Sequence, residues 1–138
     1  MGNILEIINL TKEYKGIKAV DGLSFEVKEG EILGLLGPNG SGKTTTMNCI
    51  LSLLKFQKGS ITILGHEMRP NLYEVKREIG VVFQDVAVFE ELTVYENIDY
   101  FCGLYISNKD TRKRYVDEAI ELVNLKEFKK FHPKQLSG

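Results

Sequence analysis

Gly37-Pro38-Asn39-Gly40-Ser41-Gly42-Lys43-Thr44 is the stretch that decides how this chain is read. It fits the pattern G-x-x-x-x-G-K-[ST], a loop whose backbone amides curl around phosphate oxygens. The curl needs residues that tolerate positive φ and let the backbone approach an oxygen without a Cβ in the way, which Gly37, Gly40 and Gly42 provide. A helix opening near Lys43 adds its unpaired N–H groups and its dipole. The Lys43 ammonium is a mobile positive charge within reach of a polyphosphate, and the Thr44 hydroxyl is a hard oxygen ligand suited to Mg²⁺. The alternative, an ordinary glycine turn beside an exposed lysine, lacks a reason for the flanks that follow.

Those flanks suit such a loop. Ile32-Leu33-Gly34-Leu35-Leu36 is apolar on both faces, which predicts a buried central parallel strand leading into it. Met47, Ile50, Leu51 and Leu54 recur at helical spacing behind it. Further upstream, Ile4–Leu10 reads as a strand and Thr11–Gly16 as a polar break. Leu23-Ser24-Phe25-Glu26-Val27-Lys28 alternates, which predicts an antiparallel strand with one wet face. Downstream, Lys58-Gly59-Ser60 reads as a turn, Ile61–Leu64 as a short strand and Asn71 as a helix start. Gly80-Val81-Val82-Phe83-Gln84 reads as another apolar strand. Thr93 and Glu96 have capping-box spacing before Val94, Ile98, Phe101 and Tyr105, and Val116, Ala119, Ile120 and Val123 form a second amphipathic stripe.

The chain has 138 residues, with 18 Lys plus Arg against 19 Asp plus Glu, a formal net charge of −1. This length supports a single core, and the near-neutral balance gives no reason to expect nucleic acid or an anionic membrane as partner. At 43% hydrophobic and 27% charged residues the composition is globular. No apolar run reaches the roughly 18 residues of a membrane span. Cys49 and Cys102 lack metal-site spacing and read as reduced thiols, while His66 and His132 read as surface residues.

Several spaced features together resemble the nucleotide-binding domain of ATP-binding-cassette (ABC) proteins. Tyr14-Lys15-Gly16 is similar to the family's aromatic A-loop, and Lys28-Glu29-Gly30-Glu31 to its approach to the phosphates. Gly80–Gln84 resembles the Q-loop strand, Leu92-Thr93-Val94-Tyr95-Glu96-Asn97 the opening of the helical subdomain, and Gln135-Leu136-Ser137-Gly138 the beginning of the LSGGQ signature. The resemblance implies an α/β fold: a P-loop NTPase (RecA-like) core with an antiparallel β subdomain over residues 1–89, and part of a helical subdomain over 90–138. It implies ATP and Mg²⁺ as cofactors. Tyr14 would stack on adenine; as an alternative it is an exposed turn tyrosine. Gly37, Pro38, Asn39, Gly40, Ser41, Gly42, Lys43 and Thr44 would wrap the phosphates, and Thr45 would add a hydroxyl. Gln84 would touch Mg²⁺ or the attacking water, or else is a polar strand terminus. Ser137 and Gly138 would meet the γ-phosphate held by a second nucleotide-binding domain in a head-to-tail dimer, or Ser137 simply caps a helix.

The same resemblance implies an ATP-hydrolysing subunit of a transporter, lying at the inner face of the cell membrane against a transmembrane permease that docks near residues 85–105. The wording of Leu92–Tyr105 is most similar to bacterial exporters. Rival readings are a soluble ABC ATPase of translation or DNA repair, and a non-hydrolysing nucleotide switch. The chain ends inside the signature, so the expectation is a piece of a longer ATPase. The Walker B Asp, catalytic Glu and switch His would lie beyond residue 138, and the piece alone would bind nucleotide at most.

Overall fold

The computed structural model describes residues 2–85 and 88–136, in two compact units, Met1–Val81 and Val82–Gly138. Strand β1 (Asn3–Tyr14) turns through Lys15 and Gly16 into β2 (Ile17–Lys28), with Tyr14 paired to Ile17. Both turn residues have positive φ, 48° and 85°, the two-residue hairpin geometry that matches strand twist. The polar Thr11–Tyr14 stretch is therefore strand and not a break. Its ladder to β2 continues through Lys12↔Val20 and Glu13↔Lys18, and Thr11 and Lys12 are buried. As the alternation of Leu23–Lys28 predicts, the pairing is antiparallel and Ser24, Glu26 and Lys28 are the exposed set.

Helix α1 (Lys43–Ile50) follows the glycine-rich loop, then β3 (Lys58–Ile63), β4 (His66–Glu67) and the single turn α2 (Tyr73–Lys76). The sheet order is β2-β1-β3-β4, all antiparallel, so β1 is hydrogen-bonded along both edges. Lys58–Ser60 lies in β3 instead of a turn, because it pairs with β1 across an irregularity between Ile8 and Thr11. Ile7, Leu10, Val20, Ile61 and Ile63 from the sheet pack with Cys49 and Ile50 of α1 and Val75 of α2. The inward face of α1 runs through Thr46, Cys49 and Ile50, and Met47 is exposed: the helix sits on β2 in the orientation fixed by the loop that delivers it. Residue Leu72, not Asn71, precedes α2, without a side-chain cap.

Two expected strands are absent. Ile32–Leu36 is irregular, with Ile32 98% and Leu36 94% exposed, and Gly80–Phe83 is irregular with Val82 90% exposed. An apolar run announces burial, but a strand exists only through lateral pairing, and neither segment has a ladder partner among the described residues.

The second unit is helical. α3 (Val94–Gly103) begins at a capping box: the Thr93 hydroxyl accepts from Glu96 N at 3.2 Å, and Glu96 Oε2 accepts from Thr93 N at 2.8 Å. Two more N–H groups of its first turn are taken by carbonyls of the following segment, Val94 N to Phe131 O at 2.8 Å and Tyr95 N to Lys129 O at 3.0 Å. The α4 helix (Lys109–Leu122) is capped by Asn108, whose side chain accepts from Thr111 N. Val116 and Ile120 are fully buried beneath it. The half-buried pair Asp99–Arg112, 2.8 Å apart, ties α3 to α4, and Lys129 closes on Asp117.

Candidate functional site

The phosphate-loop segment lies wholly in the first unit, between an irregular apolar run and α1. Gly40 and Gly42 are left-handed, φ 83° and 90°. Gly37 is not; a Cβ there would stand 2.5 Å from Ser41 Oγ, a contact that a turn of the Ser41 side chain can ease. The tightest position is Gly42, where a Cβ would meet the Ala19 carbonyl of β2 at 2.2 Å. The loop therefore leans on the β1–β2 hairpin through a residue that must be glycine both for conformation and for clearance.

From Gly42 the chain enters α1, whose first i→i−4 bond is Thr46 N to Gly42 O at 2.8 Å. The N–H groups of Lys43, Thr44 and Thr45 precede that bond and have no place in the helical ladder, so they face the loop with the positive end of the helix dipole. Ser41 N closes a turn on Pro38 O at 3.2 Å. Lys43 Nζ lies over the same turn, donating to the Gly37 and Pro38 carbonyls at 2.7 Å each and to Ser41 Oγ at 3.3 Å. An ammonium and a row of helix-start amides thus stand at the same loop, the arrangement that suits a polyanion. Thr44 is exposed in the first turn and Thr45 half-buried.

Tyr14 stands at the hairpin end beside this loop: its ladder partner Ile17 is two residues from Ala19. Tyr14 is 45% exposed, and its ring carries Lys12 Nζ on one face, 4.8 Å from the centroid. Gln84 belongs to the second unit, exposed in a bend. Ser137 and Gly138 lie outside the described residues.

Two residues outside the sequence motifs, Thr46 and Lys12, and one inside them, Asn97, have structural roles that their patterns did not disclose. Thr46 is 2% exposed and its hydroxyl donates to Gly42 O at 2.9 Å. Its signal was a hydroxyl residue four positions after the last loop glycine, in an otherwise apolar face. Asn97 is buried and its amide satisfies Phe89 N (2.8 Å), Phe89 O (2.9 Å), Leu92 O (3.1 Å) and Thr93 O (3.0 Å), fastening the segment before α3. Lys12, buried under Tyr14, gave no pattern signal at all. In the second unit a groove of about 570 Å³ opens between α3 and α4, lined by Val88, Phe101, Cys102, Tyr105, Tyr115 and Ala119 among others. In the α3 capping box the Glu96 carboxyl is held below the usual range, first by the Thr93 backbone N–H and then by the Thr93 hydroxyl.

Among the described residues no cluster of His, Cys, Asp or Glu could hold a metal ion, and no helix is long and apolar enough to cross a membrane. A family model described as ABC transporter matches residues 20–138. An uncharacterised ABC transporter ATP-binding protein, YhcH of Bacillus subtilis (strain 168), is 36% identical over 125 residues, which is 91% of this chain and 40% of the relative. Among solved structures, cbiO1 of Clostridium perfringens, part of the ABC transporter complex cbiONQ, superimposes with a TM-score of 0.88 at 26% identity, over 99% of this chain and 57% of that one. An ATP-binding cassette in a dimeric post-hydrolysis state with ADP and Pi gives 0.78 at 29% identity, over 96% and 63% of the two chains. The chain thus spans less than two thirds of the length of these relatives.

Proposed function

This chain belongs to the ABC transporter family, and from that membership we propose that it supplies the nucleotide-binding part of an ATP-hydrolysing transporter subunit. The observation that carries the proposal is the loop itself: two left-handed glycines deliver the chain into α1, leaving three helix-start amides and the Lys43 ammonium at the same loop. A polyphosphate seated there gains charge-assisted hydrogen bonds without any rearrangement of the helix. Lys43 Nζ moves from neutral carbonyl acceptors to phosphate oxygens, a stronger pairing for an ammonium. Tyr14, a few residues along the hairpin from the Ala19 contact, offers its open ring face to the adenine.

Mg²⁺ fits the donor set. Thr44 presents a hydroxyl oxygen in the exposed first turn, and the described residues form no carboxylate cage. That combination suits a cation carried mainly by the nucleotide's phosphates and its own waters. The ion would neutralise charge on the polyphosphate.

For the partners we propose a second copy of such a domain, as in the dimeric relative, and a transmembrane permease at the cytoplasmic face of the membrane. The groove between α3 and α4 supports the second of these, since its lining is mainly apolar and aromatic and would suit an apolar segment of a partner. The cargo would be chosen by the permease, not by this chain.

Isothermal titration calorimetry with ATP and Mg²⁺ tests the reading. Wild type is expected to release binding heat, and Lys43→Ala to lose at least tenfold in affinity, the scale of one charge-assisted contact. Identical titrations for both would overturn it.

A further inference from the structure

The Gly42 carbonyl accepts two hydrogen bonds, from Thr46 N at 2.8 Å and from Thr46 Oγ1 at 2.9 Å. The first is ordinary helix. The second comes from a side chain only 2% exposed, whose hydroxyl has left water and is bonded here instead. The Gly42–Lys43 peptide is planar and trans, so its C=O and the Lys43 N–H point in opposite directions. Whatever fixes the carbonyl along the helix axis fixes that N–H toward the loop. On its other side Gly42 is stopped by the Ala19 carbonyl, 2.2 Å from the position a Cβ would take, and by a Val20 methyl at 3.3 Å. A left-handed residue between an irregular loop and a helix would otherwise be free to rotate this peptide at small cost.

We propose that Thr46 is a positioning residue of the phosphate site: its hydroxyl, by doubling the bond to the Gly42 carbonyl, holds the Lys43 amide aimed at the polyphosphate. The inference rests on the nucleotide-binding reading above and adds to it a residue that touches no ligand. Mid-helix, a threonine bonded four residues back merely bends the helix slightly. At the first carbonyl of α1 the same bond acts on a peptide whose opposite end faces the ligand.

The test uses the full chain, with MgATP and inorganic tripolyphosphate as probes, and compares Thr46→Val with Thr46→Ser. Valine keeps the shape and removes the hydroxyl; serine keeps the hydroxyl and removes the methyl. T46V is expected to weaken both probes about tenfold, the worth of one misaimed donor, while T46S stays within about twofold of wild type. In ¹⁵N-labelled protein the Lys43 amide resonance should shift on MgATP addition in wild type and T46S, and shift much less in T46V, a signature that loss of core packing alone does not produce. If T46V fails to fold by circular dichroism, T46S against T46A isolates the hydroxyl in the same way. Equal affinity and equal Lys43 shift in T46V overturn the proposal, as does equal weakening in T46S and T46V, which would point to packing. A wild type that binds neither probe, and matches Lys43→Ala, overturns the nucleotide reading and this inference with it. A wild type that binds while T46V binds equally well overturns this inference alone.

Discussion

Gly42 concentrates three demands in one residue: a φ of 90°, clearance from the Ala19 carbonyl, and a carbonyl aimed down α1. Alanine there adds left-handed strain of about 1–3 kcal/mol and a backbone collision that must push the loop off β2. Gly42→Ala is therefore expected to lower stability by at least that amount in urea unfolding and to abolish calorimetric heat with MgATP. A Gly42→Ala chain that keeps wild-type stability would show that the hairpin contact is not a constraint. The glycines were legible in the sequence because a curled loop is a local property of the backbone. Gly37 lacks the positive φ expected of it and has only the Ser41 side chain close to where a Cβ would stand. Thr46 and Lys12 were not legible, because their roles are set by atoms that the fold brings to them.

At the scale of elements, α3 shows what local chemistry can decide alone. Thr93 and Glu96 form the box that their spacing announced, and truncating such a cap costs about 1 kcal/mol. Thr93→Ala is expected to lose about that much at pH 7 in urea unfolding. The pH dependence has a definite sign. The Glu96 carboxyl is depressed in the folded chain, chiefly by the Thr93 N–H, so its contribution is present above the unfolded value near 4.3 and is lost as pH falls through the folded value. Alanine keeps the backbone N–H bond to the carboxylate and loses the hydroxyl's, so the gap between wild type and T93A should narrow in acid by that hydroxyl's share alone, and a gap that widens below pH 4 would contradict the hydroxyl–carboxylate bond. Strands are decided differently. Ile32–Leu36 and Gly80–Phe83 have the composition of buried strands, yet pairing is a property of two segments, and neither finds a ladder among the described residues. The hairpin of β1 and β2 was legible in its alternation but not in its length, since Thr11–Tyr14 pairs despite being polar.

Across the whole molecule, Ile32, Leu36 and Val82 are each at least 90% exposed, more apolar surface in irregular backbone than a solitary chain ordinarily leaves in water. Self-association is expected, seen in light scattering as an apparent mass that rises with concentration, and Ile32→Lys with Leu36→Lys should reduce it. A constant monomer mass at high concentration would contradict this. The helix starts have a quieter consequence. In α3 the leading amides are already engaged by Phe131, Lys129 and Thr93, and in α4 one is engaged by Asn108, while the first three of α1 open toward the lysine-topped turn. A stray anion at α3 would have to compete with the chain's own acceptors, held at near-infinite local concentration. Among these helix starts, α1 is therefore favoured over α3 for an incoming anion.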